Sequence, residues 1–262
     1  MNIQVGAGGV RLPGFLNVDV RKVDGVDIVG DAAHLGGIED GTVGLLFGHA
    51  LFEHLFIGHH LAALREWKRI LSSSGEMIII GIPDFSVIAE LYLKNAKGIF
   101  GERFDLLNVY RYSHGEPEHA TPPVWPVWHA TDGSAPPGWI PQLHKSLFDS
   151  TYVQNLLDEC GLSGVIFNYA YPGEEHTLNM GLVANRNGWK NPDVATVREA
   201  LAKVPDMKRF ANLDTLVLNN TRKSQDGLLD CVKSLDERRP AALPAKIVNR
   251  VKRMFQKLAP AR

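Results

Sequence analysis

Three nearly continuous apolar runs of strand length constrain the fold of this chain most strongly. They cover residues 26–29, 43–47 and 77–82. Strands buried on both faces have nearly continuous apolar sequences, because helices cover both sides of a parallel sheet. Apolar residues at helical spacing over 61–71 separate the last two runs, with Gly75 placed to end the helix. A strand, a helix and a strand in succession predict a right-handed crossover unit of an α/β fold.

Further segments extend this unit in both directions. Two short apolar runs, residues 3–5 and 15–20, precede it and are expected to be strands. Residues 165–171 and 177–184 are expected to form two strands joined by the turn "PGEE". A stripe of apolar residues predicts another helix over 150–160.

Composition and charge limit the classes of protein. With 262 residues, 45% of them hydrophobic and 22% charged, the chain is typical of a globular protein with one main core. No apolar run reaches the roughly 18 residues of a membrane span. Structure begins at Ile3 with no signal-type segment, and Cys160 and Cys231 are too few for a disulfide framework. We therefore expect a cytoplasmic protein.

The charge is divided unevenly along the chain. Residues 1–189 hold 12 Lys and Arg against 21 Asp and Glu, whereas residues 190–262 hold 16 against 8. We expect a main domain over 1–187 and a basic, helical C-terminal extension over 188–262. The extension either docks on the acidic body or meets an anionic partner, for example a membrane surface through residues 243–262. Nucleic acid is not expected, because the basic segment lacks interleaved aromatic residues.

Residues 84–145 interrupt the alternation of strands and helices and are expected to form a lid or substrate-binding insertion. Within them, residues 114–144 contain seven of the fifteen prolines and three of the five tryptophans. We expect Trp125 and Trp128 to offer flat apolar faces to a substrate. His144 either contacts substrate or anchors the helix that follows. No metal site is predicted, because the histidines lack the spacing of a tetrahedral ligand set.

The glycine-rich loop in "VGAGGVRLPGFLNVDV" favours a ligand without phosphate groups. A dinucleotide fingerprint starting at Gly6 needs a third glycine where Arg11 stands. About ten residues separate the first two strands, too few for the crossover helix that would hold a pyrophosphate at its N-terminus. S-adenosylmethionine needs close backbone approach but brings no phosphate.

Two acidic residues follow strands where such a ligand needs them. Asp19 ends the second strand, where its carboxylate can accept both ribose hydroxyls. Asp31, in "DIVGDA", can accept from an adenine amine while the amide of Ala32 faces the ring. The alternative is that both aspartates are turn or cap residues.

Five motifs in order resemble one family. "VGAGGVRLPGFLNVDV", "VDIVGDAAHL", "DGTVGLLFGHALFEHL", "LREWKRILSSSG" and "EMIIIGIPD" are together similar to class I S-adenosylmethionine-dependent methyltransferases, nearest to small predicted bacterial members with a shortened first helix. The resemblance implies a Rossmann-like α/β fold with a seven-stranded, mostly parallel sheet and helices on both faces. It also implies that the cofactor, S-adenosyl-L-methionine, contacts Gly6, Ala7, Gly8, Asp19, Asp31, Ala32 and His49.

The motif "HALFEH" supplies the candidate catalytic residues. His54, with Glu53 beside it, could remove a proton from an acceptor hydroxyl during methyl transfer. The alternative is that both residues begin the next helix and serve packing and capping.

The predicted function is methyl transfer to an oxygen or nitrogen of a small molecule or glycan. The alternative is a noncatalytic, methyltransferase-like binding module that uses the lid and the basic extension to hold a partner. A nicotinamide-dependent enzyme is a third interpretation, disfavoured by Arg11.

Overall fold

The fold is built on a mixed sheet of eight strands. A computed structural model describes residues 1–94, 144–189 and 191–219, together with Lys233. The strands lie in the order β3-β2-β1-β4-β5-β7-β6-β8, and the first five follow the order of a Rossmann-like sheet. Their bounds are β1 Asn2–Val5, β2 Phe15–Asp19, β3 Ile28–Val29, β4 Val43–His49, β5 Leu71–Pro83, β6 Ser163–Ala170, β7 Asn179–Asn185 and β8 Asn212–Leu218.

Strand direction corrects the predicted sheet. Strands β1 to β5 pair in parallel, but β7 runs antiparallel to both β5 and β6, and β8 antiparallel to β6. The predicted seven-stranded, mostly parallel sheet is therefore inexact, because an eighth strand is present and three pairings are antiparallel. The short connection 171–178 explains part of the difference, since neighbouring strands joined so closely pair as a hairpin.

Helices cover both faces of the sheet. In the described ranges the α-helices are α1 (His60–Ile70), α2 (Phe85–Leu93), α3 (Ser150–Cys160) and α4 (Val194–Leu201). One apolar cluster joins α1 and α3 to one face, and a second joins α4 and residues 204–211 to the other. Helix α1 buries Trp67 completely, and its indole N–H donates to the carbonyl of Ala32 at 2.9 Å. This bond ties the helix to the loop after β3.

Helix α3 has the ends that its sequence predicts. The candidates for its N-cap are Asp149 and Ser150, and Asp149 is the cap, because its carboxylate accepts from the N–H of Tyr152 at 2.7 Å. Gly161 ends the helix with a φ of +59°, a conformation that glycine adopts without steric cost.

The expectation that Gly75 ends helix α1 is wrong. The helix ends at Ile70, the N–H of Leu71 donates to the carbonyl of Trp67, and β5 begins at Leu71. A Cβ on Gly75 would lie 2.5 Å from the carbonyl oxygen of Val43. This glycine therefore allows the close approach of β5 to β4.

Residues 191–219 add a strand where only helical structure was expected. Strand β8 pairs with the edge of β6, and α4 buries Val197 and Leu201 against the sheet. The domain division after residue 187 stays a prediction. Most of the insertion, with Trp125 and Trp128, and residues 243–262 lie outside the described residues. No helix in the described ranges is both long enough and apolar enough to cross a membrane.

Candidate functional site

The loop between β1 and β2 is a tight turn and not a helix, as its length predicts. Gly6 and Gly8 have φ of +65° and +55°, values that residues other than glycine rarely adopt. A Cβ on Gly6 would lie 2.9 Å from the side chain of Leu51. The N–H of Ala7 donates to the carbonyl of Val18 at 3.0 Å, which fixes the loop against β2. The loop thereby presents bare backbone at the carboxyl edge of the sheet.

Asp19 fixes the same loop from the end of β2. Its side chain is 5% exposed, and Oδ2 accepts from the N–H of Gly8 at 2.8 Å. Its Oδ1 accepts from the N–H of Arg21 at 2.8 Å and from the Nε of Arg21 at 3.1 Å. The carboxylate is thus paired with a guanidinium, a contact that the strand pattern does not predict.

Asp31 lies after β3 in a turn of its own. Its Oδ1 accepts from the N–H of Ala33 at 2.8 Å, and its Oδ2 is 3.7 Å from the Nδ1 of His34. Asp31 therefore stabilises a turn, which was the alternative to ligand binding. The same residue also lines a cavity at the carboxyl edge of the sheet.

A cavity of about 540 Å³ opens at the carboxyl ends of β1, β2 and β4. Ligand pockets commonly fall between about 300 and 1,000 Å³. All seven residues predicted to contact the cofactor line it, namely Gly6, Ala7, Gly8, Asp19, Asp31, Ala32 and His49. The sheet thus brings together residues from four separate segments of the chain.

The end of β4 forms one wall of the cavity. The Nε2 of His49 lies 3.2 Å from the hydroxyl of Tyr171, and its ring lies 4.9 Å from that of Phe210. Ala50 has a φ of +47°, a left-handed conformation that costs a residue with a Cβ about 1–2 kcal/mol. Such strain is common at functional sites. Gly81 accommodates the turn, because a Cβ there would lie 2.7 Å from the amide nitrogen of Ala50.

The candidate catalytic residues form a 3₁₀ helix, Phe52–His54, directly after this wall. His54 lines the cavity with a side chain that is 10% exposed. Glu53 is fully buried, and burial raises the pKa of its carboxyl to about 8. Its Oε1 lies 3.7 Å from the Nε2 of His54. The alternative was that these residues begin the next helix. They form a short 3₁₀ helix of their own, and α1 begins only at His60.

A segment remote in sequence completes the site. The ring of His144 meets that of His54 edge to face, with centroids 4.9 Å apart. Lys145, which is not among the predicted site residues, lines the cavity and holds its Nζ 5.2 Å from the centre of the Phe56 ring. Burial lowers the pKa of its ammonium group to about 8. Lining residues that the sequence did not predict also include Arg21, Leu51, Leu55, Phe56 and His59.

Solved structures similar to this chain include S-adenosylmethionine-dependent methyltransferases. One from Thermotoga maritima, described as a possible histamine N-methyltransferase, has 13% identity and a TM-score of 0.40, and the match covers 71% of this chain and 81% of that one. A TehB-like methyltransferase from Corynebacterium glutamicum has 12% identity and a TM-score of 0.39, over 70% and 79%. A third, from Rhodobacter sphaeroides, bears the name of Zn-dependent alcohol dehydrogenases, with 12% identity and a TM-score of 0.41 over 66% and 75%.

Two of these three structures bear the name of the family that the sequence motifs resemble. No protein-family model matches the chain, and no curated protein matches it at a significant level.

Proposed function

We propose that this chain is a cytoplasmic S-adenosylmethionine-dependent methyltransferase that acts on an oxygen or nitrogen of a small molecule or glycan. One observation carries the proposal. A glycine loop with positive φ and two carboxylates from successive strands border a single cavity of about 540 Å³ at the carboxyl edge of the parallel strands. In open α/β sheets, ligands bind at this edge.

The residues present fit the nucleoside part of this cofactor. The loop leaves bare backbone at Gly6 and Gly8, where a Cβ on the first would already meet Leu51. The carboxylate of Asp19 would accept hydrogen bonds from ribose hydroxyls after the guanidinium of Arg21 shifts from its present contacts. Asp31 and Ala32 would border the adenine. When bound, the cofactor supplies a methyl group on a positively charged sulfur, open to attack by a nucleophile.

The other end of the cavity would receive the methyl acceptor. His54 and the apolar side chains of Leu55 and Phe56 line the cavity and would form this end, with His49 and Leu51 between it and the cofactor loop. The apolar side chains would exclude water, and the walls would hold the nucleophile in line with the methyl group. His54 would take the proton from an acceptor hydroxyl, with the buried Glu53 beside it.

Cofactor affinity in a charge-neutral variant tests the proposal. We expect Asp19→Asn to weaken the binding of S-adenosylmethionine about tenfold or more, because a hydrogen bond to a charged group contributes about 1.5–3 kcal/mol. Isothermal titration calorimetry measures the affinity. The matched control is Asp24→Asn, an exposed aspartate on the loop after β2, which should bind as the unaltered protein does.

An unchanged affinity in Asp19→Asn would show that the ribose does not bind at the end of β2. Incubation of the protein with labelled S-adenosylmethionine and cell extract then separates the enzyme from a noncatalytic binding module. The enzyme releases S-adenosylhomocysteine, whereas the binding module keeps the cofactor intact.

A further inference from the structure

Glu53, His54 and His144 bring one carboxylate and two imidazoles together beside the cavity, and His54 is the member of this cluster that lines it. One potential ligand atom from each lies within 4.8 Å of the other two. The Oε1 of Glu53 is 3.7 Å from the Nε2 of His54, and the two histidine rings meet edge to face. Atoms at these separations can share a single cation after small side-chain movements.

The carboxylate of Glu53 is an unusual feature of this cluster. The residue has no exposed surface, and neither of its oxygens has a hydrogen-bond partner among the described residues. Buried carboxylates are normally hydrogen-bonded, paired with a cation or bound to a metal. A buried carboxyl group without a hydrogen-bond partner, beside two imidazoles, therefore points to a cationic ligand, which would favour the charged form of the group.

Hydrogen bonds fix the distance between the two segments that supply these groups. The N–H of Lys145 donates to the carbonyl of Glu53 at 2.8 Å, and its Nζ donates to the carbonyl of His54 at 2.9 Å. The hydroxyl of Ser146 donates to the carbonyl of Leu55 at 2.9 Å. The third potential ligand is thereby held next to the first two, although 89 residues of chain lie between His54 and His144. A site arranged before binding costs less conformational entropy on binding.

We propose that Glu53, His54 and His144 form a binding site for a first-row divalent cation such as Zn²⁺. Two histidines and one glutamate are a known ligand set of catalytic zinc sites, which keep a further position open for water or substrate. Imidazole ligands disfavour Mg²⁺ and Ca²⁺, which select oxygen donors. His54 belongs to both the cluster and the cavity wall, so an open position beside His54 would face the cavity.

The role of the cation in methyl transfer rests on the function proposed above, whereas the binding itself does not. A divalent cation lowers the pKa of a bound hydroxyl. The acceptor hydroxyl would then lose its proton to solvent, and its oxygen would form a bond to the methyl carbon as the carbon–sulfur bond of the cofactor breaks, releasing S-adenosylhomocysteine. In this arrangement the cation, and not His54, promotes loss of the proton from the acceptor hydroxyl. The ring nitrogen of His54 that would accept this proton binds the cation instead, so His54 cannot act as the base.

Zinc binding by the tag-free protein of residues 1–262 tests the site. The protein is stripped with a chelator, titrated with Zn²⁺ by calorimetry, and assayed for zinc content after gel filtration. We expect one Zn²⁺ per chain, a rise in the unfolding temperature on zinc addition, and an affinity lowered at least about tenfold by Glu53→Gln or His144→Ala. His34→Ala is the matched control, because this exposed histidine is not part of the cluster, and the variant should bind zinc as the unaltered protein does.

Two results would overturn the site. One is the absence of tight zinc binding to the unaltered protein, a measurement that needs no variant to fold. The other is equal binding by folded His144→Ala and by the His34→Ala control, which would place the zinc elsewhere. Because S-adenosylmethionine is absent from these titrations, failure of the zinc site and failure of the cofactor site are seen separately.

Discussion

His60 is a buried histidine that the fold keeps neutral. Its Nδ1 lies 2.8 Å from the hydroxyl of Tyr152, and its ring packs against Phe52 and Phe148 at centroid distances of 5.0 and 4.9 Å. Burial, and then the neighbouring His59, lower the pKa of its imidazole to about 4, against a hydrogen bond with the carbonyl of Leu55 that raises it. The protein therefore holds a group that becomes charged readily only after unfolding.

The pH dependence of stability follows from this histidine. The pKa of this imidazole is about 6.5 in the unfolded chain and lower in the folded protein. The neutral histidine therefore contributes fully to the free energy of unfolding above pH 6.5, and this contribution is lost as the pH falls through about 4. The loss is on the order of 3 kcal/mol. We expect His60→Gln to lose less stability than the unaltered protein between pH 7 and pH 4. Urea unfolding at several pH values measures this, and an equal loss in both proteins would contradict it; His34→Gln is the control.

The sequence identified residues that line the cavity because of their place along the chain relative to a strand. Asp19 could be found because it ends an apolar run, and His54 because it closely follows another. Contacts across the chain could not be found in this way. Lys145 reaches the carbonyl of His54 over 91 residues, and the complete burial of Glu53 depends on packing that no local pattern reports. The pairing of Arg21 with Asp19 could have been predicted, because the two residues are only two positions apart in the sequence.

At the scale of elements, the junction of α1 and β5 shows where local patterns mislead. Glycine near the end of an apolar helical repeat favours a helix end. Here Gly75 lies within the strand, because β5 passes so close to β4 that a side chain would meet the carbonyl of Val43. A glycine needed for close approach and a glycine needed to end a helix look alike in sequence.

Substitution at this glycine tests the role of close approach. We expect Gly75→Ala to lower the free energy of unfolding by about 1–3 kcal/mol, the usual cost of overpacking, because a Cβ would lie 2.5 Å from a backbone oxygen. Gly44→Ala is the matched control, since the nearest atoms to its Cβ would lie at 3.8 Å, an ordinary contact. Urea unfolding compares the two, and equal stabilities would show that β4 and β5 separate without cost.

Strand β8 was missed for a different physical reason. Residues 212–218, "NLDTLVL", are short, mixed in polarity and surrounded by basic sequence. A strand that is buried on one face only needs apolar residues at alternate positions, so its sequence has no continuous apolar run. The buried central strands β4 and β5, in contrast, could be predicted from such runs, and the hairpin of β6 and β7 from its "PGEE" turn.

At the scale of the whole molecule, residues 191–219 complete the cover of the sheet. Five large apolar side chains of this segment are buried against the face that includes Phe47 and Ile78, namely Val197, Leu201, Val204, Met207 and Phe210. Burying each contributes about 1.5–3 kcal/mol. Their sum is comparable to the 5–15 kcal/mol that a domain of this kind has in total.

Truncation tests whether the predicted domain boundary is a folding boundary. We expect a chain that ends at residue 187 to lose cooperative unfolding, because one face of the sheet loses its cover. A chain that ends at residue 219 keeps the cover and should unfold cooperatively. Thermal melting followed by circular dichroism compares them, and a cooperative transition in the shorter chain would show that residues 1–187 fold alone.

Parallel titrations with S-adenosylhomocysteine and with NAD test the central claim most directly. The cavity has glycines and carboxylates but no helix at the first connection to hold a pyrophosphate. We therefore expect the first ligand to bind one per chain, with a Kd between about 1 μM and 1 mM, the usual range for enzyme substrates, and the dinucleotide not to bind. No heat of binding from S-adenosylhomocysteine at millimolar concentration, or tighter binding of NAD, would contradict the account.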